Sequence, residues 1–357
     1  MQEIEQVRLV ELTSEEAKVQ CKIDDYQEWG HPFWTQEEYQ RKEKIQRSTR
    51  FASDNSIFLG LLANESEEND SKLEIICHCE VHRFDCMLKA RQSEQLRWGY
   101  SYHIASVFTL PAYRRRGYAA FFMQEVAEFL RTRPKAIASA LFSDIGPNYY
   151  TKLGWKVFPS DSAVIDLVSS DNTVEFSIDE AKSLFMDQKL DALLREDAER
   201  IKQQLLDDET LSNMDVLATI PTFDSIEWQF CIGRYYAESR VLDPRPMECG
   251  YRINADAFIV WALNFKESTL FVLRTRMDCA CEQVLQLLHA AIVQANRYKL
   301  RYIKIWQPSS ILFSSSVQKY LVITKVVRTE SLSSLIFFPE MEDTTLLWLL
   351  NEKFSWV

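Results

Sequence analysis

Apolar and polar positions along the chain follow two patterns that separate strands from helices. The apolar, β-branched run from Ile104 to Thr109 predicts a strand, and Pro111, which has no N–H for a sheet ladder, ends it. From Ala119 to Leu130, apolar residues recur at the i, i+3, i+4, i+7, i+8 and i+11 spacing of one helix face. The pattern therefore predicts a strand, a tight turn and a helix.

The turn in this unit is basic and contains one glycine, Gly117, within Arg114 to Ala119. The first N–H groups of a helix have no partner within the helix, and the helix dipole is positive at that end. The turn is therefore an anion site suited to a pyrophosphate. Gly117 lets the backbone come close to the ligand, and Ala119 avoids bulk where the helix packs on the strand.

The remainder of the first half has the same kinds of elements, with polar segments between them. Residues 64–71 are predicted as an acidic turn, 84–98 as a charged and irregular surface segment, and 169–172 as a linker. The patterns predict helices over 14–28 and 36–49, and strands over 7–13, 56–63, 73–81, 100–109, 136–143, 154–158 and 163–168.

The second half repeats this order of elements. The basic turn is missing after the strand at 269–276, so we expect a degenerate repeat without a cofactor site of its own. An unrelated α+β lid domain is the alternative. The patterns predict helices over 179–206, 224–240 and from 281 to 295, a helix or loop at 310–320, and strands over 250–253, 257–265, 269–276, 301–306, 321–327 and 332–338.

Length, net charge and cysteine content limit the classes of protein to which this chain can belong. At 357 residues the chain is long enough for two cores, and its net charge of −11 argues against a nucleic-acid partner. That charge is compatible with a cationic small-molecule amine. No long apolar run and no leader are visible, so we expect a cytoplasmic protein without a membrane partner, whose eight cysteines are reduced. The sequence does not indicate an oligomeric state.

One segment, Cys77-His-Cys-Glu-Val-His82, invites comparison with a metal site. On a strand, Cys77 and Cys79 share one face, while His78, Glu80 and His82 share the other. The spacing matches none of the paired-ligand patterns of zinc proteins. We therefore expect no metal here.

Two motifs resemble those of the GNAT acetyltransferase superfamily. Arg114-x-x-Gly-x-Ala119 resembles its acetyl-CoA-binding motif, and Tyr150-Thr-Lys-Leu-Gly-Trp155 resembles the signature that closes its core. Ser106-Val-Phe-Thr, Arg116-Gly-Tyr-Ala and Phe142-Ser-Asp-Ile-Gly-Pro-Asn-Tyr-Tyr resemble, more narrowly, the fungal L-lysine N6-acetyltransferases of lysine catabolism.

The resemblance implies an α/β (α+β) architecture of two domains. Residues 1–170 are expected to form a GNAT fold, a central mixed sheet flanked by helices, with an acetyl-CoA site. Residues 171–357 are expected to form a second, degenerate GNAT-like domain that lacks the cofactor motif and helps to close the acceptor site. The implied reaction is direct acetyl transfer from acetyl-CoA, the co-substrate, to the ε-amine of free L-lysine in a ternary complex, without a metal.

The resemblance also implies roles for particular residues. Tyr150 matches the tyrosine that faces the CoA sulfur and acts as general acid; the alternative is a core hydroxyl packed under the turn. Ser143 stands where many members have an asparagine. The expected cofactor contacts are Val107, Phe108, Thr109, Arg114, Arg115, Arg116, Gly117, Tyr118, Ala119 and Ser143.

The general base is less well defined. His103 stands where some members carry a glutamate, and its neutral form accepts a proton near pH 7. A buried core histidine is the alternative reading, and Asp144, Glu80 or a water chain are other candidates for the base.

The acceptor side is predicted from the segment before the second helix. Trp29 and Trp34 are expected to stack along an alkyl-ammonium stem, with Asp144 also contacting the acceptor; the alternative for the tryptophans is a staple between helix and sheet. An acceptor carboxylate needs a cation, for which Arg234, Arg240 and Arg252 are available. Acetylation of a polyamine, peptide or protein lysine, and a non-catalytic acetyl-CoA-binding regulator, are the alternative functions.

Overall fold

The structure is a computed structural model that describes residues 7–63, 74–168, 176–243, 247–339 and 346–357. Its helices are α1 (Glu15–Asp25), α2 (Gln36–Arg47), α3 (Arg50–Asn55), α4 (Tyr118–Arg131), α5 (Asn148–Thr151), α6 (Gln188–Asp207), α7 (Phe223–Ser239), α8 (Cys281–Arg297) and α9 (Ser315–Gln318). A π-helix, Tyr26–Gly30, extends α1.

Sixteen strands in the described residues form two mixed sheets. They are β1 (Val7–Glu11), β2 (Ser56–Ala63), β3 (Ile75–Lys89), β4 (Leu96–Thr109), β5 (Ala136–Ser143), β6 (Lys156–Val157), β7 (Asp161–Asp166), β8 (Ser183–Phe185), β9 (Asp215–Thr219), β10 (Glu248–Asn254), β11 (Ala257–Asn264), β12 (Thr269–Met277), β13 (Tyr302–Trp306), β14 (Thr324–Val327), β15 (Leu332–Phe337) and β16 (Leu346–Leu349).

The first sheet has the order β1-β2-β3-β4-β5-β15-β6, and β9 with β16 extends it beside the far end of β3. The second sheet has the order β8-β10-β11-β12-β13-β7-β14. Each sheet contains one parallel pair whose strands are joined by a helix: α4 joins β4 to β5, and α8 joins β12 to β13. The second sheet therefore repeats the strand order of the first.

The two sheets exchange a strand. β7 directly follows β6 in the chain, yet it pairs with β13 of the second sheet. β15 follows β14, yet it inserts between β5 and β6 of the first sheet. In each sheet the exchanged strand occupies the same place, antiparallel to the strand after the crossover helix. Strand pairing thus crosses the boundary predicted at residue 170.

A shared apolar cluster joins the two halves. Phe51 and Phe84 from the first half pack with Trp228, Phe258 and Phe354 from the second, and all five are buried. Separate cores lie under α4 in the first half and under α8 in the second. Burial of aromatic and aliphatic surface of this kind is the main stabilising term at such an interface.

Several sequence predictions need correction or extension. Residues 84–98 do not form an irregular segment: most of them continue β3 and begin β4, which pair from Lys89 and Leu96 onward. The helix predicted from 179 begins at Gln188, after β8. Neither β9 nor β16 was predicted. The predicted turn at 64–71 and the predicted linker at 169–172 lie outside the described residues.

Candidate functional site

β4 and β5 separate at the centre of the first sheet and leave a gap. Their parallel pairing ends at Ile104 and Leu141, whereas β4 continues to pair with β3 as far as Thr109. The register shifts where β4 passes this point, and Ser106 there has a φ of 50°. A bulge of this kind bends the strand away from its neighbour. Beyond Ile104, the edge of β4 that faces β5 therefore has no strand partner among the described residues. Its backbone groups are left for a ligand, apart from the carbonyl oxygen of Thr109, which accepts from Arg114.

The predicted anion-binding turn lies directly after this gap. Gly117 is the N-cap of α4, with a φ of 90°, and no side chain caps the helix. The N–H groups of the first helical turn, beginning at Tyr118, are left for a ligand. One face of α4 packs on the sheet, where Phe122, Met123 and Val126 are fully buried. This packing fixes the position of the helix. The gap and the helix terminus together fit a nucleotide diphosphate with an extended arm.

The three arginines of the turn have different surroundings. Arg114 donates to the carbonyl oxygen of Thr109 at 2.9 Å and to Glu28 Oε1 at 2.9 Å, so its guanidinium already has protein partners. Arg115 is exposed, lines the cavity and has a φ of 64°. Arg116 lies outside the cavity lining, with its guanidinium 5.8 Å from the ring of Tyr113. Arg115 is thus the arginine best placed for a phosphate.

A cavity of about 1140 Å³ runs from the gap to the junction of the two halves. Both halves of the chain line it. The second half contributes residues of α7, of β11 and β12 with their connection, and of the C-terminal segment, including Trp228, Tyr236, Phe271, Lys353 and Trp356. Of the residues predicted for the site, it is lined by Trp29, Trp34, Val107, Phe108, Thr109, Arg114, Arg115, Gly117, Tyr118, Ala119, Ser143, Asp144 and Tyr150.

Tyr150 lies on α5, in the cavity wall beside Tyr149, with the two rings 5.0 Å apart. Burial raises the pKa of the Tyr150 phenol well above its usual value, so the hydroxyl keeps its proton at neutral pH. The Ser143 hydroxyl donates to the carbonyl oxygen of Gly146 at 2.8 Å. The Asp144 carboxylate accepts from the backbone N–H of Ser331 at 2.7 Å, which ties it to the turn before β15.

A buried cluster of charged side chains forms another part of the cavity wall. The ammonium of Lys22 on α1 contacts Glu80 on β3 and lies 3.0 Å from Glu43 Oε2 and 3.3 Å from Asp25 Oδ2. Burial opposes the charge on Lys22, but the three carboxylates outweigh it and raise its pKa. Lys42 also contacts Glu43. Three carboxylates therefore face two ammonium groups, and Lys22, Glu43 and Glu80 line the cavity.

His82 lies next to this cluster on the same face of β3. Its Nδ1 is 2.7 Å from the Ser56 hydroxyl. Burial lowers its pKa to about 4, so the imidazole is neutral at pH 7. His78, Glu80 and His82 do share one face of β3, while Cys77 and Cys79 pack into the core under α4 on the other, as the sequence predicted.

His103, predicted as the base, does not line the cavity. Its Nδ1 lies 2.7 Å from the carbonyl oxygen of Ser355 and its Nε2 lies 3.0 Å from the Ser101 hydroxyl. Because a carbonyl only accepts, Nδ1 carries the proton and Nε2 accepts from Ser101. Burial lowers the pKa of His103 to about 4. This imidazole therefore anchors the C-terminal segment to the first sheet, outside the cavity.

The two tryptophans differ in exposure. Trp34 is buried and stacks on Tyr235 of α7, with ring centroids 5.6 Å apart, so it joins the two halves as well as lining the cavity. Trp29 is 36 % exposed and meets the ring of Phe108 edge-on at 6.5 Å. Trp34 thus packs against a helix of the second half and not between helix and sheet, and its stacking on an acceptor stem stays a prediction.

Sequence reasoning missed Lys22, Glu43 and Lys353 as lining residues. The sequence contained one signal for the cluster around Lys22. Asp25 follows Ala17 and Cys21 at intervals of four residues, so this partner of Lys22 lies on the apolar face of α1. No local pattern marks Lys353, which reaches the cavity only through packing of the C-terminal segment. Arg234, Arg240 and Arg252, the cations considered for an acceptor carboxylate, do not line the cavity.

Family models match both halves of the chain. The model of the LYC1 GNAT-like C-terminal domain matches residues 165–357, more than half of the chain. The chain belongs to this family. A model of the Acetyltransferase (GNAT) family matches residues 23–155. The chain thus has two GNAT-like domains, as predicted, and the GNAT turn and gap lie in the first. GNAT acetyltransferases use acetyl-CoA, which fits the gap and turn described above.

Solved structures of N-acetyltransferases and of a probable N-acyltransferase align with this chain. A probable N-acyltransferase from Enterococcus faecalis V583 aligns with a TM-score of 0.50 at 11 % identity, over 93 % of this chain and 72 % of that one. A GCN5-related N-acetyltransferase from Kribbella flavida aligns with a TM-score of 0.48 at 15 % identity, over 93 % and 72 %. A GNAT acetyltransferase from Brucella melitensis, in complex with acetyl-CoA, aligns with a TM-score of 0.28 at 16 % identity, over 42 % and 83 %.

No curated protein matches the chain. Within the described ranges, no group of three or more histidine, cysteine, aspartate or glutamate side chains is arranged to hold a metal ion. None of the helices in the part of the chain that the structure describes has the length and apolar content needed to cross a membrane.

Proposed function

We propose that this GNAT protein transfers the acetyl group of acetyl-CoA to the ε-amine of free L-lysine by direct attack in a ternary complex. The observation that carries the proposal is the continuity of one cavity. Its walls include the β4–β5 gap, the turn before α4 and the buried carboxylates of Glu43 and Glu80. A thioester held in the gap thus faces a wall suited to an ammonium group.

The first domain supplies the cofactor contacts in this proposal. The uncapped N-terminus of α4 and Arg115 bind the diphosphate, and the free edge of β4 from Val107 to Thr109 pairs with the pantetheine arm. A backbone N–H of this edge polarises the thioester carbonyl. Acetyl-CoA supplies the activated acyl group.

Glu80 and Tyr150 move the protons. One carboxylate oxygen of Glu80 contacts Lys22, while its other oxygen has no hydrogen-bond partner among the described residues. Glu80 draws in the acceptor ammonium and accepts a proton from it, directly or through a water. The neutral amine nitrogen bonds to the carbonyl carbon as the carbon–sulfur bond breaks. Tyr150 donates its proton to the leaving thiolate and then takes up, directly or through a water, the second proton that the acylated nitrogen loses. Glu80 releases its proton to solvent.

The form of the cavity supports a small acceptor. Residues of the second domain, among them Trp228, Tyr236 and Phe271, form a wall opposite the first domain. Trp29 and Trp34 offer ring faces for an alkyl stem. The resemblance of residues 1–160 to the fungal lysine acetyltransferases points to L-lysine among small amines. A cytoplasmic location and a role in lysine catabolism remain predictions from the sequence.

A CoA-release assay with a panel of amines tests the proposal. Free L-lysine is expected to be the preferred acceptor over spermidine and a lysine-containing peptide, and mass spectrometry should find N6-acetyl-lysine. Turnover with spermidine or the peptide but not with L-lysine would overturn the substrate assignment. Tight binding of acetyl-CoA without turnover of any amine would instead identify a regulator.

A further inference from the structure

Lys353 places a buried cation in the cavity wall that the reaction above does not use. It begins a short 3-10 helix, Lys353–Ser355, and only 5 % of the residue is exposed. Its ammonium lies 3.3 Å from the ring centroid of Trp356, 4.5 Å from that of Phe271 and 4.7 Å from that of Trp306. The Lys353 ammonium has neither a hydrogen-bond nor an ion-pair partner among the described residues.

The acidic groups near Lys353 are engaged elsewhere. Glu267 lies 3.4 Å from Lys304 and also accepts from Asn264, while Asp144 accepts from Ser331. Burial lowers the pKa of Lys353 to about 7; Glu267 and Asp144 act against this shift, and Arg328 and Lys304 add to it. A buried amine without an anion is costly, and a bound anion would remove that cost.

The position of Lys353 is fixed by its neighbours from both domains. Glu352 Oε1 accepts from Arg274 Nη1 at 2.8 Å. His103 donates to the carbonyl oxygen of Ser355, and Gln229 donates to that of Trp356. A cation held in this way binds an anion without first losing side-chain freedom, so little entropy is lost on binding.

We propose that the ammonium of Lys353 receives the carboxylate of the acceptor, so that the site selects an amine that carries a carboxylate over a simple amine. This inference rests on the proposed function and adds to it the residue that recognises the carboxylate of the acceptor. Lys353 and the Glu43–Glu80 wall then bind groups of opposite charge on one acceptor. The diphosphate of acetyl-CoA does not compete for Lys353 in this proposal, because it is assigned to the turn at Gly117.

Paired ligands test the proposal by calorimetry on the full-length protein with CoA bound. L-Lysine and 1,5-diaminopentane differ only in the carboxylate. The wild-type protein is expected to prefer L-lysine. Lys353→Met should weaken L-lysine binding by about 10- to 100-fold, the range for a lost charge-assisted hydrogen bond, and leave diaminopentane within about twofold. Affinity for CoA should not change.

Lys319→Met is the control. Lys319 also packs on an aromatic ring, that of Tyr320 at 5.3 Å, but it does not line the cavity, so its loss should leave the preference for L-lysine intact. Equal weakening of both amines by Lys353→Met, or weaker CoA binding, would overturn the inference. If Lys353→Met does not fold, Lys353→Gln gives the same comparison. Because the readout is binding, failed turnover would count against the proposed function alone.

Discussion

Lys22 on α1 and Glu80 on β3 form a buried ion pair in the cavity wall. The residues are 58 positions apart, and their contact joins the helical layer to the central sheet. Asp25 and Glu43 complete the cluster around the same ammonium. The pair therefore both stabilises the first domain and fixes a carboxylate beside the expected path of the acceptor.

The assignment of Glu80 as base predicts the effect of its isosteric amide. Glu80→Gln should lower kcat on the order of 100-fold, because the amide does not accept a proton from the ammonium. The affinity for acetyl-CoA should change little, and Lys22 keeps two carboxylate partners. Glu330→Gln, at an exposed glutamate of the same cavity, is the control in steady-state kinetics. Equal loss in both variants would remove Glu80 from the mechanism.

Tyr150 is expected to act on the leaving thiolate alone. Tyr150→Phe should lower kcat by about 100-fold or more, as expected for loss of a general acid, and leave the Kd of acetyl-CoA unchanged in a titration. Tyr149→Phe, which removes the neighbouring hydroxyl, should have a smaller effect. If Tyr149→Phe is the slower enzyme, the acid is Tyr149 and the family resemblance has been carried to the wrong tyrosine.

Gly117→Ala tests the anion-binding turn. A residue with a side chain at a φ of 90° is strained by about 1 kcal/mol, and the added methyl lies where the backbone approaches the ligand. Binding of acetyl-CoA should weaken several-fold. Gly146→Ala is the matched control: its φ is 81°, no atom lies within 4 Å of the added carbon, and the residue does not line the cavity. The control should lose similar stability without losing affinity.

His103 makes stability depend on pH. Its pKa is about 4 in the folded protein and near 6.5 when exposed, so its full contribution to stability is present above pH 6.5. As the pH falls from 6.5 to 4, the unfolded chain binds a proton that the folded chain does not. The free energy of unfolding should then fall by on the order of 1.4 kcal/mol per pH unit from this residue.

Urea unfolding at pH 7, 6 and 5 measures this slope. His82, whose pKa is also lowered to about 4, adds to it with the same sign. His103→Gln, which keeps a donor for Ser355 and does not titrate, should flatten the slope. His31→Gln removes an exposed histidine and controls for that loss. An unchanged slope in His103→Gln would show that His103 titrates alike in both states.

The strand exchange predicts that the halves do not fold separately. A fragment of residues 1–170 lacks β15, which pairs with six residues of β5, Ala138 to Ser143, and also holds β6. The unpaired edge of β5 would favour aggregation. Expressed alone, the fragment should show no cooperative urea unfolding, whereas co-expression with residues 171–357 should restore a soluble complex. Cooperative unfolding of 1–170 alone would contradict this prediction.

Local patterns predicted most elements near the cofactor turn. The apolar run ending at Thr109, the glycine at 117 and the helical spacing after Ala119 are all local signals, because each depends on residues within one or two turns of chain. The same patterns predicted the repeat in the second half. They failed at 84–98, a charged segment without clear periodicity that was interpreted as a surface segment, although most of its residues pair across a long hairpin.

The sequence alone predicted the repeated order of elements in the two halves and the basic, glycine-containing turn before α4, since both follow from the periodicity and composition of short segments. Only the tertiary structure decided which strand completes which sheet, why His103 serves as an anchor, and how Lys22, Glu80 and Lys353 reach one cavity. The physical reason is that pairing, burial and ion contacts join residues tens to hundreds of positions apart, as in the 252 positions between His103 and Ser355, and no local pattern records them.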